Sequence, residues 1–158
     1  MSFTTEASIQ YRFNPGKNWQ KRKIGAVIGW VARDASKATI VINTDASRVG
    51  DYSVTKTSVP KMIQYLEQVK KFQGQAFNIT DWKVRRHQFY RLKGNQGALV
   101  KLEGDYKGIT GVPTRFVEWH YYIGKHFYQI TYTQNSNRGK WSMARIESIL
   151  KRFRPLGV

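Results

Sequence analysis

The apolar and polar positions of the chain alternate in two distinct rhythms, and each rhythm predicts a different kind of element. Steps of two mark strands. Ile9 to Phe13 alternates and predicts a short strand, ended by Asn14-Pro15-Gly16. Ile24 to Val31, apolar with two glycines, predicts a buried strand, and the β-branched run Ala38 to Asn43 predicts another. A turn over Asp34 to Lys37 separates them. Steps of three and four then take over. Val59, Met62, Ile63, Leu66, Val69 and Phe72 form one stripe of a helix over Val59 to Phe72. Thr57 or Ser58 is placed to cap it, Pro60 is tolerated in its first turn, and Gly74 is the expected stop.

After a short strand expected over Phe77 to Trp82, the two-residue rhythm returns over Lys83 to Leu92. A strict alternation places Val84, Arg86, Gln88 and Tyr90 on one face and Arg85, His87, Phe89 and Arg91 on the other. Lys93 to Gly97 reads as a turn. Ala98 to Tyr106 reads as a half-buried strand with Lys101, Glu103 and Asp105 on its solvated side. The clearest pattern lies between Thr114 and Arg154. A two-residue Gly124-Lys125 loop sets a hairpin in which Ile123 faces His126, Tyr121 faces Tyr128, Trp119 faces Ile130 and Val117 faces Tyr132. That side is predicted to be core, and the side carrying Glu118, His120, Tyr122, Phe127, Gln129 and Thr131 to be mixed. A slip of one residue would exchange them. A helix from about Trp141 to Phe153, with Ile146, Ile149, Leu150 and Phe153 inward, ends before Pro155. The hairpin core is expected to pack on that stripe.

These elements describe an α+β chain, a twisted antiparallel sheet with helices packed on its faces. No repeat, linker or composition break divides residues 1–158, so a single domain is expected. At this length roughly 70% of the unfolded surface can be buried, enough for a core without staples. The absence of cysteine excludes a disulfide scaffold, a thiolate zinc site and a cysteine nucleophile. No apolar run is long enough to span a bilayer. Met1 to Glu6 lacks the basic-then-apolar pattern of a secretory leader. Two readings stand, a cytosolic chain and a mature chain whose leader was removed; the missing cysteines tilt the expectation towards an exported, periplasmic one.

Charge changes the picture more than size does. There are 27 Lys+Arg against 10 Asp+Glu, a net +17. Such a field attracts acidic proteins, nucleic acid or anionic membrane surfaces. The cations are scattered, with local concentrations at Lys17/Lys21/Arg22/Lys23, at Lys83/Arg85/Arg86/Arg91/Lys93 and at Arg145/Lys151/Arg152/Arg154. The middle group is the candidate partner-binding segment: Lys83, Arg85, Arg86, His87, Phe89, Arg91 and Lys93. Cations for phosphates and an aromatic for stacking suit single-stranded nucleic acid. The same alternation also describes a sheet face covered by a helix at one end and solvated at the other.

Catalytic patterns do not emerge. No Gly-x-Ser-x-Gly elbow, Walker loop or Gly-x-Gly-x-x-Gly occurs. The predicted register separates His120 from His126, and His87 is distant, so the three histidines do not predict a metal site. The carboxylates of Glu103, Asp105 and Glu118 are better explained as offsetting neighbouring Lys and Arg. No enzyme activity and no cofactor is expected.

Three segments carry a family resemblance. Tyr11-Arg12-Phe13-Asn14-Pro15-Gly16-Lys17-Asn18-Trp19 is similar to the first strand, Pro-Gly turn and Trp of the PsbP/Mog1/DcrB-like superfamily. Gly97-Ala98 through Gly104-Asp105-Tyr106 is similar to its central strand. Tyr121 to Thr133, followed by a helix ending Ile149-Leu150-Lys151-Arg152-Phe153-Arg154, resembles its last hairpin and helix. The resemblance implies an α/β/α sandwich. It also implies a non-catalytic role, since members of that superfamily include assembly factors, lipoproteins, chaperone-like adaptors and a nuclear-transport regulator. This chain departs from it in having no lipobox cysteine and in its high charge. The expected function is a binding or assembly module that recognises an acidic protein surface within a larger, envelope-associated complex. The alternative is a nucleic-acid-binding protein using the basic and aromatic sheet face.

Overall fold

The computed structural model describes residues 11–24, 27–45, 54–77, 79–95, 97–108, 111–124 and 126–155. The strands are β1 (Tyr11–Arg12), β2 (Trp19–Ile24), β3 (Val27–Ala32), β4 (Thr39–Asp45), β5 (Thr80–Arg91), β6 (Gly97–Lys107), β7 (Pro113–Ile123), β8 (His126–Asn135) and β9 (Arg154–Pro155). The helices are α1 (Val59–Phe77) and α2 (Met143–Leu150). Among the described residues the architecture is α+β, mostly antiparallel sheet with two helices. Strands β2 to β8 form one seven-stranded sheet in the order β2-β3-β4-β8-β7-β6-β5, with every neighbour antiparallel.

The β7–β8 hairpin has the predicted register: Ile123 pairs with His126, Tyr121 with Tyr128, Trp119 with Ile130 and Val117 with Tyr132. Gly124 supplies a φ of 57° at its turn, a conformation that costs glycine nothing. Trp119, Tyr121, Tyr128, Ile130 and Tyr132 join Ile146, Ile149, Leu150 and Phe153 in one cluster, as the sequence predicts. Trp30, Ile40 and Ile42 extend that cluster across β3 and β4.

The other side of the ribbon is buried as well, where a mixed face was expected. Val100, Leu102, Tyr122 and Phe127 cluster with Val59 and Ile63 of α1. Each such apolar side chain contributes about 1.5–3 kcal/mol when fully buried. Glu118 and His120 are buried beside them, joined Nε2 to carboxylate at 2.8 Å. Pairing is what lets two polar groups remain in that layer.

Several boundaries differ from expectation. The strand expected over Ile24 to Val31 is divided, because Ile24 closes β2 and Val27 opens β3 as its antiparallel partner. The run Gln20-Lys21-Arg22-Lys23 gave no apolar signal for β2, since a strand at the edge of a sheet does not need one. Of the first predicted strand, Tyr11 and Arg12 are described, while Ile9 and Gln10 lie outside the described residues. The separate strand expected over Phe77 to Trp82 is not formed: α1 runs to Phe77, and β5 is continuous from Thr80. Gly74 does not stop the helix. It is buried within it, where a Cβ would lie 2.1 Å from the carbonyl oxygen of Ile79; the absent side chain admits the returning backbone, and the Ile79 N–H donates to the Gly74 carbonyl at 3.0 Å. Phe72, assigned to the inward stripe, is exposed. At the other end, α2 is capped by Ser142, whose hydroxyl accepts from the Arg145 N–H at 3.3 Å. It ends at Leu150, and Arg154–Pro155 pairs with Tyr11–Arg12 as β9.

Asp34 fastens α2 to the β3–β4 turn. Its carboxylate accepts from the Ser36 hydroxyl, the Ser36 N–H at 3.0 Å, the Asn18 amide at 2.8 Å and the Arg145 guanidinium at 2.7 Å. The Ser36 hydroxyl first, then Asn18 and Arg145, hold this carboxyl well below the usual carboxylate range, against the opposing effect of partial burial. The unfolded chain therefore binds the proton more readily than the native state does. The contribution is complete above about pH 5 and is lost as pH falls through the depressed native value. Asp34→Ala is expected to cost about 1–2 kcal/mol near neutrality, with the deficit relative to wild type shrinking in acid. Urea titrations at neutral and acidic pH check this; a deficit independent of pH would contradict it.

Candidate partner-binding surface

The predicted segment lies on β5, the edge strand beside β6. Lys83, Arg85, Arg86, His87 and Arg91 are exposed along it, and Lys93 follows in a single 3₁₀ turn over Lys93–Asn95. The structure therefore brings the cations together along one edge, but not as the strict alternation requires. The register shifts between Val84, opposite Gly104, and Arg86, opposite Glu103. The extra residue is Arg85, a β-bulge that reverses the facing of the residues just before it. Val84 consequently joins Phe89 in the cluster beneath α1. Arg85 is separated from His87 and Phe89 and reaches Asp105, donating from Nε at 3.2 Å and from a terminal nitrogen at 3.3 Å. That bond raises the guanidinium further above its ordinary value.

Phe89 is half-buried against the α1 cluster, so the aromatic expected as a stacking platform serves the core. The exposed ring of the strand is Tyr90, one residue on and on the opposite face. It belongs to an arrangement the sequence reading missed. Lys101 Nζ sits 4.9 Å from the Tyr90 ring centroid and 4.1 Å from that of Trp119. Burial between the rings lowers the lysine's pKa, with Glu147 opposing the shift. The signal was available in the β6–β7 register, which places Lys101 opposite Trp119, but Lys101 was assigned to a solvated side.

Several acids are committed to structure. Arg115 donates to Glu103 at 3.2 Å, Arg85 binds Asp105, Arg145 binds Asp34, and Glu118 holds His120. Glu67 of α1 accepts from the Val84 N–H at 3.1 Å and so fastens the helix to the edge strand. Asp34, Glu67, Glu103, Asp105 and Glu118 are thus committed out of the chain's 10 acids, against 27 cations, while Asp81 stands exposed near the start of β5. Among the described residues, Arg85 is the only one of the seven predicted site residues held in an ion pair.

Clefts flank the strand on both faces. One of about 760 Å³ lies between α1 and the start of β5, lined by Glu67, Lys70, Lys71, Trp82 and Lys83 among others. One of about 210 Å³ lies on the other face, lined by Arg86, Lys101, Trp119 and Glu147 among others. Neither cleft contains a serine or a cysteine, and the buried His120–Glu118 pair lines neither. Among the described residues no three His, Asp or Glu side chains gather as metal ligands. The pairing that sets Ile123 against His126 and His120 against Gln129 keeps the two hairpin histidines on opposite faces.

This antiparallel sheet, with an apolar cluster that includes helix residues on each face, has a fold similar to that of PsbP. No protein-family model and no curated protein sequence matches the chain, so the likeness is one of structure. The solution structure of cyanobacterial PsbP (CyanoP) from Synechocystis sp. PCC 6803 is similar over 94% of this chain and 93% of that one, with a TM-score of 0.66 and 10% identity. LpqN of Mycobacterium tuberculosis, described as involved in cell envelope biogenesis, is similar over 91% of this chain and 82% of its own, with a TM-score of 0.53 and 11% identity. A crystal structure from Bacteroides thetaiotaomicron VPI-5482 is similar over 92% of this chain but 44% of that one, with a TM-score of 0.51 and 10% identity. At such identities the likeness concerns the fold. No helix among the described residues is long and apolar enough to cross a membrane.

Proposed function

We propose that residues 1–158 form one α/β/α sandwich domain that acts as a non-catalytic binding or assembly module. It recognises an acidic protein surface within a larger, envelope-associated complex, and the chain works as an exported protein. The observation that carries this reading is the edge strand β5, where Lys83, Arg86, His87 and Arg91 stand exposed while Asp105 and Glu103 of the neighbouring strand are paired with Arg85 and Arg115. A long, exposed edge rich in cations suits a partner with complementary carboxylates, which gains in encounter rate and register from such a field. The similarity to LpqN, described as involved in cell envelope biogenesis, supports the location, and the similarity in fold to PsbP and LpqN supports an accessory role.

The nucleic-acid reading is weakened by Phe89, whose ring packs beneath α1 instead of standing free to stack. One experiment separates the two. Binding of an acidic polypeptide and of single-stranded oligonucleotides is measured against salt for wild type and for Arg86→Ala/Arg91→Ala. The variant is expected to lose roughly tenfold in affinity for the acidic polypeptide, because each exposed ion pair contributes about 0.2–1 kcal/mol. Arg85→Ala, which removes a cation already neutralised by Asp105, is expected to change binding far less. Tight oligonucleotide binding whose salt slope falls by about 0.7 per cation removed would favour nucleic acid instead. Unchanged affinity in Arg86→Ala/Arg91→Ala would remove β5 as the site.

A further inference from the structure

Helix α1 turns two large aromatic rings straight into solvent. Phe72 is 82% exposed and Tyr65 is 65% exposed, whereas Val59 and Ile63 are buried against the sheet. At 3.6 residues per turn, Lys61, Tyr65, Gln68 and Phe72 share an arc of about 60°, nearly opposite Val59, Ile63 and Leu66. Tyr65 and Phe72 are separated by two turns, about 10 Å along the axis. Neither ring supports the core, and a folding argument gives no reason for them.

The charge around them is one-sided. Lys56, Lys61 and Lys71 are exposed at and beside this face. The helix has a single acid, Glu67, and that carboxylate is turned to the Val84 N–H of β5. The outward surface of α1 therefore presents aromatic rings, glutamines and lysines, with no carboxylate. From this we infer that the outer face of α1 is a docking surface for an anionic lipid bilayer, with Tyr65 and Phe72 entering the interface and Lys61 and Lys71 at the level of the headgroup phosphates. Interfacial helices divide their surface in this way, and long lysine side chains keep their ammonium groups in the polar layer while the rings go deeper. A fluid anionic surface needs no shaped acceptor and accommodates the spacing of Lys56, Lys61 and Lys71. The surface lies on α1, and the inference stands independently of the β5 edge.

Co-sedimentation with phosphatidylcholine vesicles, with and without phosphatidylserine, tests it. Wild type is expected to bind the phosphatidylserine-containing vesicles only. Tyr65→Ser/Phe72→Ser is expected to lower partitioning about tenfold or more, as the loss of two buried rings implies, with an unchanged Tm because neither ring supports the core. Phe72→Trp is expected to add emission that shifts to the blue on these vesicles. Equal sedimentation of wild type and Tyr65→Ser/Phe72→Ser would overturn the inference, as would no binding by wild type. Loss of poly-glutamate binding in Tyr65→Ser/Phe72→Ser, without vesicle binding by wild type, would also overturn it and make α1 a protein-docking face. Arg86→Ala/Arg91→Ala reports on β5 separately, so the two surfaces can fail independently.

Discussion

Phe153→Ala is expected to destabilise the protein by about 3–5 kcal/mol, the usual cost of truncating a buried aromatic. The ring is buried and lies against four others: Tyr11 at 5.4 Å between centroids, Tyr121 at 5.6 Å, and Phe13 and Tyr128 each at 6.3 Å. Its position explains why the loss should exceed that of a peripheral aromatic. Phe153 immediately precedes β9, and Tyr11 belongs to β1, so the ring also anchors the short bridge between them. A cavity there cannot close easily, because Tyr128 and Tyr121 are fixed by the β7–β8 pairing. Chemical denaturation checks the value, and loss of amide protection at Tyr11 and Arg12 before the large sheet opens checks the bridge. A cost below 1 kcal/mol would contradict the packing described.

Gly104→Ala is expected to cost about 1–3 kcal/mol and, unlike Phe153→Ala, to act on the partner-binding strand. A Cβ at Gly104 would lie 2.0 Å from the Lys83 carbonyl oxygen and 2.7 Å from Cζ of Phe116. Backbone on one side and a ring on the other leave no flexible atom to give way. Phe116 is itself stacked on Trp82 at 4.8 Å, so it cannot retreat without moving the start of β5. Gly104 pairs with Val84, the last residue before the bulge. The added methyl is therefore expected to press β5 away from β6 at the point where Arg85 leaves the ladder. The measurable outcome is lower stability together with weakened binding of the acidic polypeptide. Lost stability with unchanged binding would show that the bulge does not position the cations.

Much of the fold was legible because burial on one face writes itself into alternation. The β7–β8 register could be read residue by residue, since Trp119 and Ile130 tolerate no other pairing. What escaped had physical causes. β2 has exposed cations where a central strand would have apolar residues, so it carried no periodic signal. The bulge at Arg85 leaves no mark in composition, and one unpaired residue was enough to move Val84 to the opposite face. Gly74 looked like a stop because glycine commonly ends helices; here it serves a close approach that only the three-dimensional path reveals. The cationic segment of the candidate site was visible as a run of Lys and Arg. Which of those charges are free was not, because neutralisation of Arg85 depends on the β5–β6 register. The exposure of Phe72 was hidden for a similar reason: at the margin of a helical stripe, spacing alone does not say which way a ring turns.

The pairing of β4 with β8 has a consequence for how the protein is made. Thr39 meets Thr133 and Ile42 meets Ile130, whereas β5, β6 and β7 are each paired with the next strand in the chain. On the ribosome, β2 to β4 emerge with Trp30 and Ile40 uncovered, and the strand that completes them, β8, follows only after α1 and β5 to β7 have been made. At roughly 5–20 residues per second that interval lasts several seconds. During it the nascent chain presents an apolar sheet fragment with an open margin, and holding factors that act on unfinished chains have their opportunity there. Completion of the sheet thus waits for the synthesis of β8 and does not follow from the growth of β2 to β4.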